Sequence, residues 1–262
     1  LPALAFLLAA LAWTWPLVTR ISWRIAHDPG DPVLNAWILW WNTQALPFTG
    51  EWWDAPIFYP MPGALALSEH LAGIAPFTAP LHAAGLTPVA AYNIALILSC
   101  WLSAYFAFLL GRHLTGSTAA GIIAGVAFGF APYRAGQLAH LQVLTAQWMP
   151  LALLSMHAYL GAGRRRWLAL FGVAWVLQAL SNGYYLLFFP ILVGLWLLWF
   201  VDWQGQRQRG IALAVTFAAA SLLLLPALLQ YRQVHDGLGL ARPVEDMRSY
   251  SASLASLTHP PG

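Results

Sequence analysis

The segment RIAHDPGDPVLNAWILWW, residues 24–41, gathers His27, Asp28 and Asp31 into one short stretch. Two carboxylates at that spacing can hold a hard divalent ion such as Mg or Mn, or raise one another's pKa until one serves as a base. His27 can orient an acid or act beside it. Pro29-Gly30 suits the centre of a type II turn, which predicts Asp28 and Asp31 within about 7 Å between Cα atoms. The same residues also have a structural reading. Asp31-Pro32 predicts an N-cap followed by proline at the first helical position, and Asp28 a turn-former.

Three further groups qualify. Ser68-Glu69-His70 puts an acid beside a histidine in an apolar stretch, which is costly unless the pair is solvated in a cavity or exposed to headgroups. In PYRAGQLAH (132–140), Arg134 can fork onto a phosphate or snorkel to the interface. His140 and Gln142 then sit at the mouth of the next apolar run, where a histidine serves as a ligand or as a member of the interfacial belt.

These polar residues are rare in their chain. Of 262 residues 60% are hydrophobic and 8% charged, far below the roughly 25% charged usage of soluble domains. All twelve basic residues are arginine, and the net +3 spread over the chain is no nucleic-acid signal. A single cysteine, Cys100, excludes a disulfide framework and a thiolate metal site. No P-loop, GxSxG, HExxH or CxxC occurs. The expectation is an all-α polytopic membrane protein.

Uncharged length predicts about seven transmembrane helices, since crossing takes about 20 residues. They fall at 1–19, 88–111, 114–131, 141–161, two within 167–201 split by Ser181-Asn182-Gly183, and 211–230. Arg112, Arg164 to Arg166, Arg207 and Arg209 lie inside if the N-terminus is cytoplasmic, and eight of the nine acids then lie outside. Residues 1–230 make one seven-span module that includes an outer loop at 20–87; residues 231–262 begin a second outer loop. In the first loop, Val33, Leu34, Trp37, Ile38, Trp41 and Ala45 share one helical face, which predicts a membrane-parallel helix. Residues 64–83 predict a second interfacial or re-entrant helix. Gly121, Gly125 and Gly129 predict a close-packing face. Trp52-Trp53 and Tyr184-Tyr185 read as interfacial anchors.

One span, a long outer loop opening with acids, and six further spans resemble the conserved module of GT-C class glycosyltransferases, membrane enzymes that use polyprenyl-phosphate-linked sugars. The words DPGDPVLNAWILWW (28–41), IFYPMPGALALSEHL (57–71), FAPYRAGQLAHLQVLTAQWMP (130–150) and RPVEDMRSYSASL (242–254) resemble a bacterial branch related to the YfhO-like and mannosyltransferase-like groups. The resemblance implies a plasma-membrane transferase facing outward, a lipid-linked sugar as donor, and an acid after the first span as base or metal ligand. That role falls on Asp28 or Asp31. It implies a phosphate contact from Arg134, with Arg242 and Arg248 behind it; the residues themselves add His27, Glu69, His70 and His140 as candidates to bind substrate. Members of the class continue past this point, so it further implies a fragment. Two other expectations stay open: a transporter or lipid flippase, for which the outer acids and His70 would form a binding or proton-relay site, and a non-catalytic scaffold subunit.

Overall fold

In the computed structural model, which describes residues 1–240, 243–249 and 251, apolar runs fold into helices wherever a cap and a stop bound them. α1 (Pro2–Trp13) leads through a 3-10 turn (Leu17–Arg20) to α2 (Gly30–Trp41) and the single turn α3 (Gly50–Trp53). A second 3-10 turn (Ala64–Leu67) precedes α4 (Ala75–Ala83) and the longest helix, α5 (Pro88–Thr115). Then follow α6 (Thr118–Gly129), the short turns α7 (Pro132–Ala135) and α8 (Leu141–Leu144), α9 (Trp148–Ala162) and α10 (Arg165–Ala179). The order closes with α11 (Gly183–Phe200), α12 (Arg207–Leu222), α13 (Leu225–Leu238) and α14 (Val244–Ser249). The described residues are all-helical, with no strand among them.

α5 and α11, of 28 and 18 residues, are long and apolar enough to cross a membrane. α12 and α13, bent by 46° at their break, make a third candidate when taken together. The other apolar runs fold into shorter helices. α1 and α6 have 12 residues, α9 and α10 have 15, or about 18–22 Å of rise at 1.5 Å per residue. Length and composition therefore give two or three crossings where the apolar pattern predicts seven. The exposed face of α11, with Leu187, Phe188, Ile191, Leu195 and Leu198, needs an apolar covering. That is consistent with a membrane location.

A small cluster of Phe6, Ala104 and Phe108 and two large cores hold the described residues. One joins α1, α2, the 45–74 segment, α5 and α8, and reaches Ala227 in α13. The other joins α9, α10, α11 and α12 around Phe171, Trp175 and Phe189. α6 lies on α5 through its glycines, as their spacing predicts. A Cβ at Gly121 would stand 2.7 Å from the Phe108 carbonyl, and one at Gly129 would stand 2.4 Å from Ala104 Cβ.

Several local expectations are corrected. α2 begins at Gly30 with Pro29 as its N-cap residue, and Asp31 makes no capping bond. Asp28 Oδ1 accepts from the Gly30 amide at 3.0 Å, which turns Pro29 to φ −80, ψ 3 and feeds the chain straight into the helix. A type II turn would need positive φ at Gly30, and Gly30 does not adopt it. The buried face of α2 carries Asn35, Ala36, Ile38 and Leu39, while Val33 is half exposed. α2 packs against α5 and α4, so its asparagines point inward to protein partners. Trp52 and Trp53 are buried rather than anchored at an interface. Residues 64–83 are no continuous helix: Ser68 is extended, Leu71 has φ 53, and the 3-10 turn and α4 stay separate.

Candidate functional site

A cavity of about 590 Å³ opens between the 66–70 segment, the α10–α11 turn and α13. Its position follows from two local devices. Ser181-Asn182-Gly183 stops α10 and restarts the chain as α11, with Asn182 Oδ1 accepting from the amides of Tyr184 and Tyr185 at 2.7 and 3.3 Å. Gly73 lets the preceding loop lie against that turn. Its amide donates to the Leu180 carbonyl at 3.0 Å, and a Cβ there would stand 2.1 Å from the Leu177 carbonyl.

Glu69 and His70, both anticipated, line the cavity. Glu69 Oε1 accepts from the Gly183 amide at 2.9 Å, at the start of α11. Burial pushes its carboxyl above the usual range; the Gly183 amide opposes that shift and the charge of Asp31 adds to it. His70 is buried among Phe48, Trp52, Trp53 and Tyr231, with ring centroids 5.4 to 6.0 Å away. Burial lowers its imidazole to about 4. Its Nδ1 accepts from the Ala72 amide at 3.1 Å, so the neutral ring carries its proton on Nε2.

The backbone at His70 is held from both sides. Asn42 Nδ2 donates to the His70 carbonyl at 2.9 Å while Asn42 Oδ1 accepts from Trp52 Nε1 at 2.9 Å. Tyr231 Oη accepts from the His70 amide and donates to the Ser68 carbonyl. Sequence reasoning missed Asn42, Trp52 and Tyr231. An asparagine within a Trp-rich helix was the available signal, and α2 turns it inward.

The two opening acids separate in role. Asp28 is occupied: Oδ1 by the Gly30 amide and Oδ2 by His27 Nδ1. The Gly30 hydrogen bond and then His27 hold its carboxyl below the usual range. Neither Asp28 nor His27 lines the cavity. Asp31 stands in the first turn of α2, about half exposed, with Oδ2 3.4 Å from His140 Nε2 as its side-chain partner among the described residues. One turn further on, Asn35 Nδ2 donates to Gln142 Oε1 at 2.8 Å, and Gln142 lines the cavity. Asp31 and His140 do not line the cavity either; the Asn35–Gln142 bond ties α2 to its wall, and His27–Asp28 is a separate turn.

The arginines do not converge. Arg134, the expected phosphate ligand, is buried at 5% exposure and donates Nη2 to the Leu144 carbonyl at 2.7 Å, beside Cys100. Arg248 is exposed and paired with Glu245 at 3.8 Å. Arg242 lies outside the described residues. No group of three or more His, Cys, Asp or Glu residues suited to a metal ion comes together among the described residues.

No family model, curated protein or solved structure matches the chain.

Proposed function

We propose that the chain is the catalytic module of a GT-C-like membrane glycosyltransferase that moves a sugar from a polyprenyl-phosphate donor to an acceptor hydroxyl. In this reading the apolar helices form a seven-span module in a bacterial plasma membrane. The N-terminus is cytoplasmic and the 20–87 loop faces outward. Asp31 is the base and Asp28 is structural.

The observation that carries the reading is the disposition of Asp31. Among the described residues it is the acid of the pair that accepts from no backbone amide, and its charge adds, after burial, to the upward shift of Glu69 on the cavity wall. The chemistry asks little more. The acceptor hydroxyl gives its proton to Asp31 as its oxygen bonds to C1 of the sugar. The bond from C1 to the phosphate oxygen breaks, and the electron pair leaves with polyprenyl phosphate. Phosphate is a ready leaving group, so positioning and proton removal are the tasks left to the protein. His140 positions Asp31 from 3.4 Å.

The test is transfer from polyprenyl-phosphate sugars by purified wild type, Asp31→Asn and Asp28→Asn. Loss of a general base lowers turnover by about 10²–10⁴-fold, and that loss is expected for Asp31→Asn alone. Equal turnover in the three proteins, or loss confined to Asp28→Asn, would sink the assignment.

A further inference from the structure

Two polar atoms contributed by the cavity's lining residues have no partner among the described residues. Glu69 commits Oε1 to the Gly183 amide, and its Oε2 is buried without a donor. Asn182 commits Oδ1 to the Tyr184 and Tyr185 amides. Its Nδ2, on a side chain 2% exposed, has no acceptor. Buried polar groups are nearly always satisfied by protein, water or ligand, and this unmet acceptor and unmet donor belong to residues that meet at Gly183 on one wall. A hydroxyl answers both, donating to Oε2 and accepting from Nδ2. A fully ionised phosphate answers only the second and meets the carboxylate with like charge.

The rest of the wall points the same way. Leu180, Leu186, Leu224 and Leu228 make it largely apolar, and no arginine lines it among the described residues. His70 presents a neutral ring, its Nδ1 already held by Ala72, and His235 Nε2 donates to the Ala66 carbonyl at 3.3 Å. The first amides of α11 would otherwise draw an anion. Here Glu69 takes Gly183, and Asn182 takes Tyr184 and Tyr185.

We propose that this cavity binds the uncharged, hydroxyl-bearing head of an amphipathic molecule, a glycoside with an apolar tail, and discriminates against phosphate. In naming that molecule as the sugar acceptor the inference rests on the transferase reading; the binding preference does not. The donor's phosphate then lies outside the cavity, and only the accepting hydroxyl approaches Glu69 and Asn182.

Octyl β-glucoside and octyl phosphate share one tail and differ in head charge. Their binding to the whole protein is measured by calorimetry at pH 8, in an amphipathic polymer free of glycoside detergent. Saturable glucoside binding is expected. Octyl phosphate is expected at least about tenfold weaker, because its charge would meet the Glu69 carboxylate where the hydroxyl donates. Asn182→Asp keeps the capping oxygen and removes the donor, and lowers glucoside affinity about 3- to 10-fold. Leu228→Trp fills the space from the partly exposed face of α13 and abolishes binding with the fold intact by circular dichroism. Octyl phosphate bound as tightly as the glucoside, or no saturable glucoside binding, overturns the proposal. So does glucoside affinity unmoved by both variants. Glucoside binding without any transfer contradicts the transferase reading alone. Transfer that depends on Asp31, with glucoside affinity indifferent to both variants, contradicts the cavity assignment alone.

Discussion

His70 makes the protein's stability depend on pH in a direction opposite to a salt-bridged histidine. The ring is 6% exposed, wrapped by aromatic side chains, and lowered from 6.5 to about 4. Above pH 6.5 it is neutral whether the protein is folded or not. As pH falls from 6.5 towards 4 the unfolded chain takes up a proton that the folded one refuses, so unfolding gains. The full fall, at about 1.4 kcal/mol per pH unit, makes a loss of about 3 kcal/mol that is complete near pH 4. The perturbation is His70→Asn, whose amide oxygen can still accept from Ala72. The assay is unfolding free energy against pH, from 8 to 4, for both proteins. The variant is less stable at pH 8 because ring packing against Trp52 is lost. Its curve nevertheless lacks the 3 kcal/mol decline, and the two curves converge at low pH. Glu69, raised by burial, pulls the other way: it adds stability as pH falls towards 4.5 and does so in both proteins. The difference between the curves isolates His70. Parallel curves would refute the argument, since they require a ring that titrates normally in the folded state.

Gly73→Ala places a methyl against the Leu177 carbonyl and Ser181, and overpacking of this kind destabilises by about 1–3 kcal/mol. A drop in melting temperature together with altered glucoside binding is expected, because the loop carrying Glu69 must move. Asn42→Ala leaves Trp52 Nε1 without its acceptor and the His70 carbonyl without its donor. An unfolding titration should register a loss of about 1–3 kcal/mol, and no loss would mean that water replaces the asparagine.

Features that depend on chain-local physics were legible in the sequence. Ser181-Asn182-Gly183 interrupts an apolar run with a capping side chain, and α10 and α11 part there. The glycines of α6 recur at one face, and that face meets α5. Glu69 and His70 stood out because two ionisable groups in an apolar stretch need a cavity or a partner, and they line one. What failed depended on partners distant in sequence. The apolar stripe of α2 predicts a helix that meets a membrane, but α4 and α5 pack against it and turn Asn35 and Asn42 inward. Asp31 makes no capping bond because the Asx-type bond from the Gly30 amide to Asp28 starts the helix at Gly30, one residue ahead of it. Arg134 is buried because the 141–144 turn offers it a carbonyl, which no spacing rule announces.

The most direct test of the account is product stoichiometry. Wild-type protein in lipid nanodiscs is given a polyprenyl-phosphate sugar and a hydroxylated acceptor, and free polyprenyl phosphate and new glycoside are both quantified. Glycosyl transfer predicts the two in equal amounts. Donor that crosses the membrane uncleaved, or no product of either kind, would contradict the account.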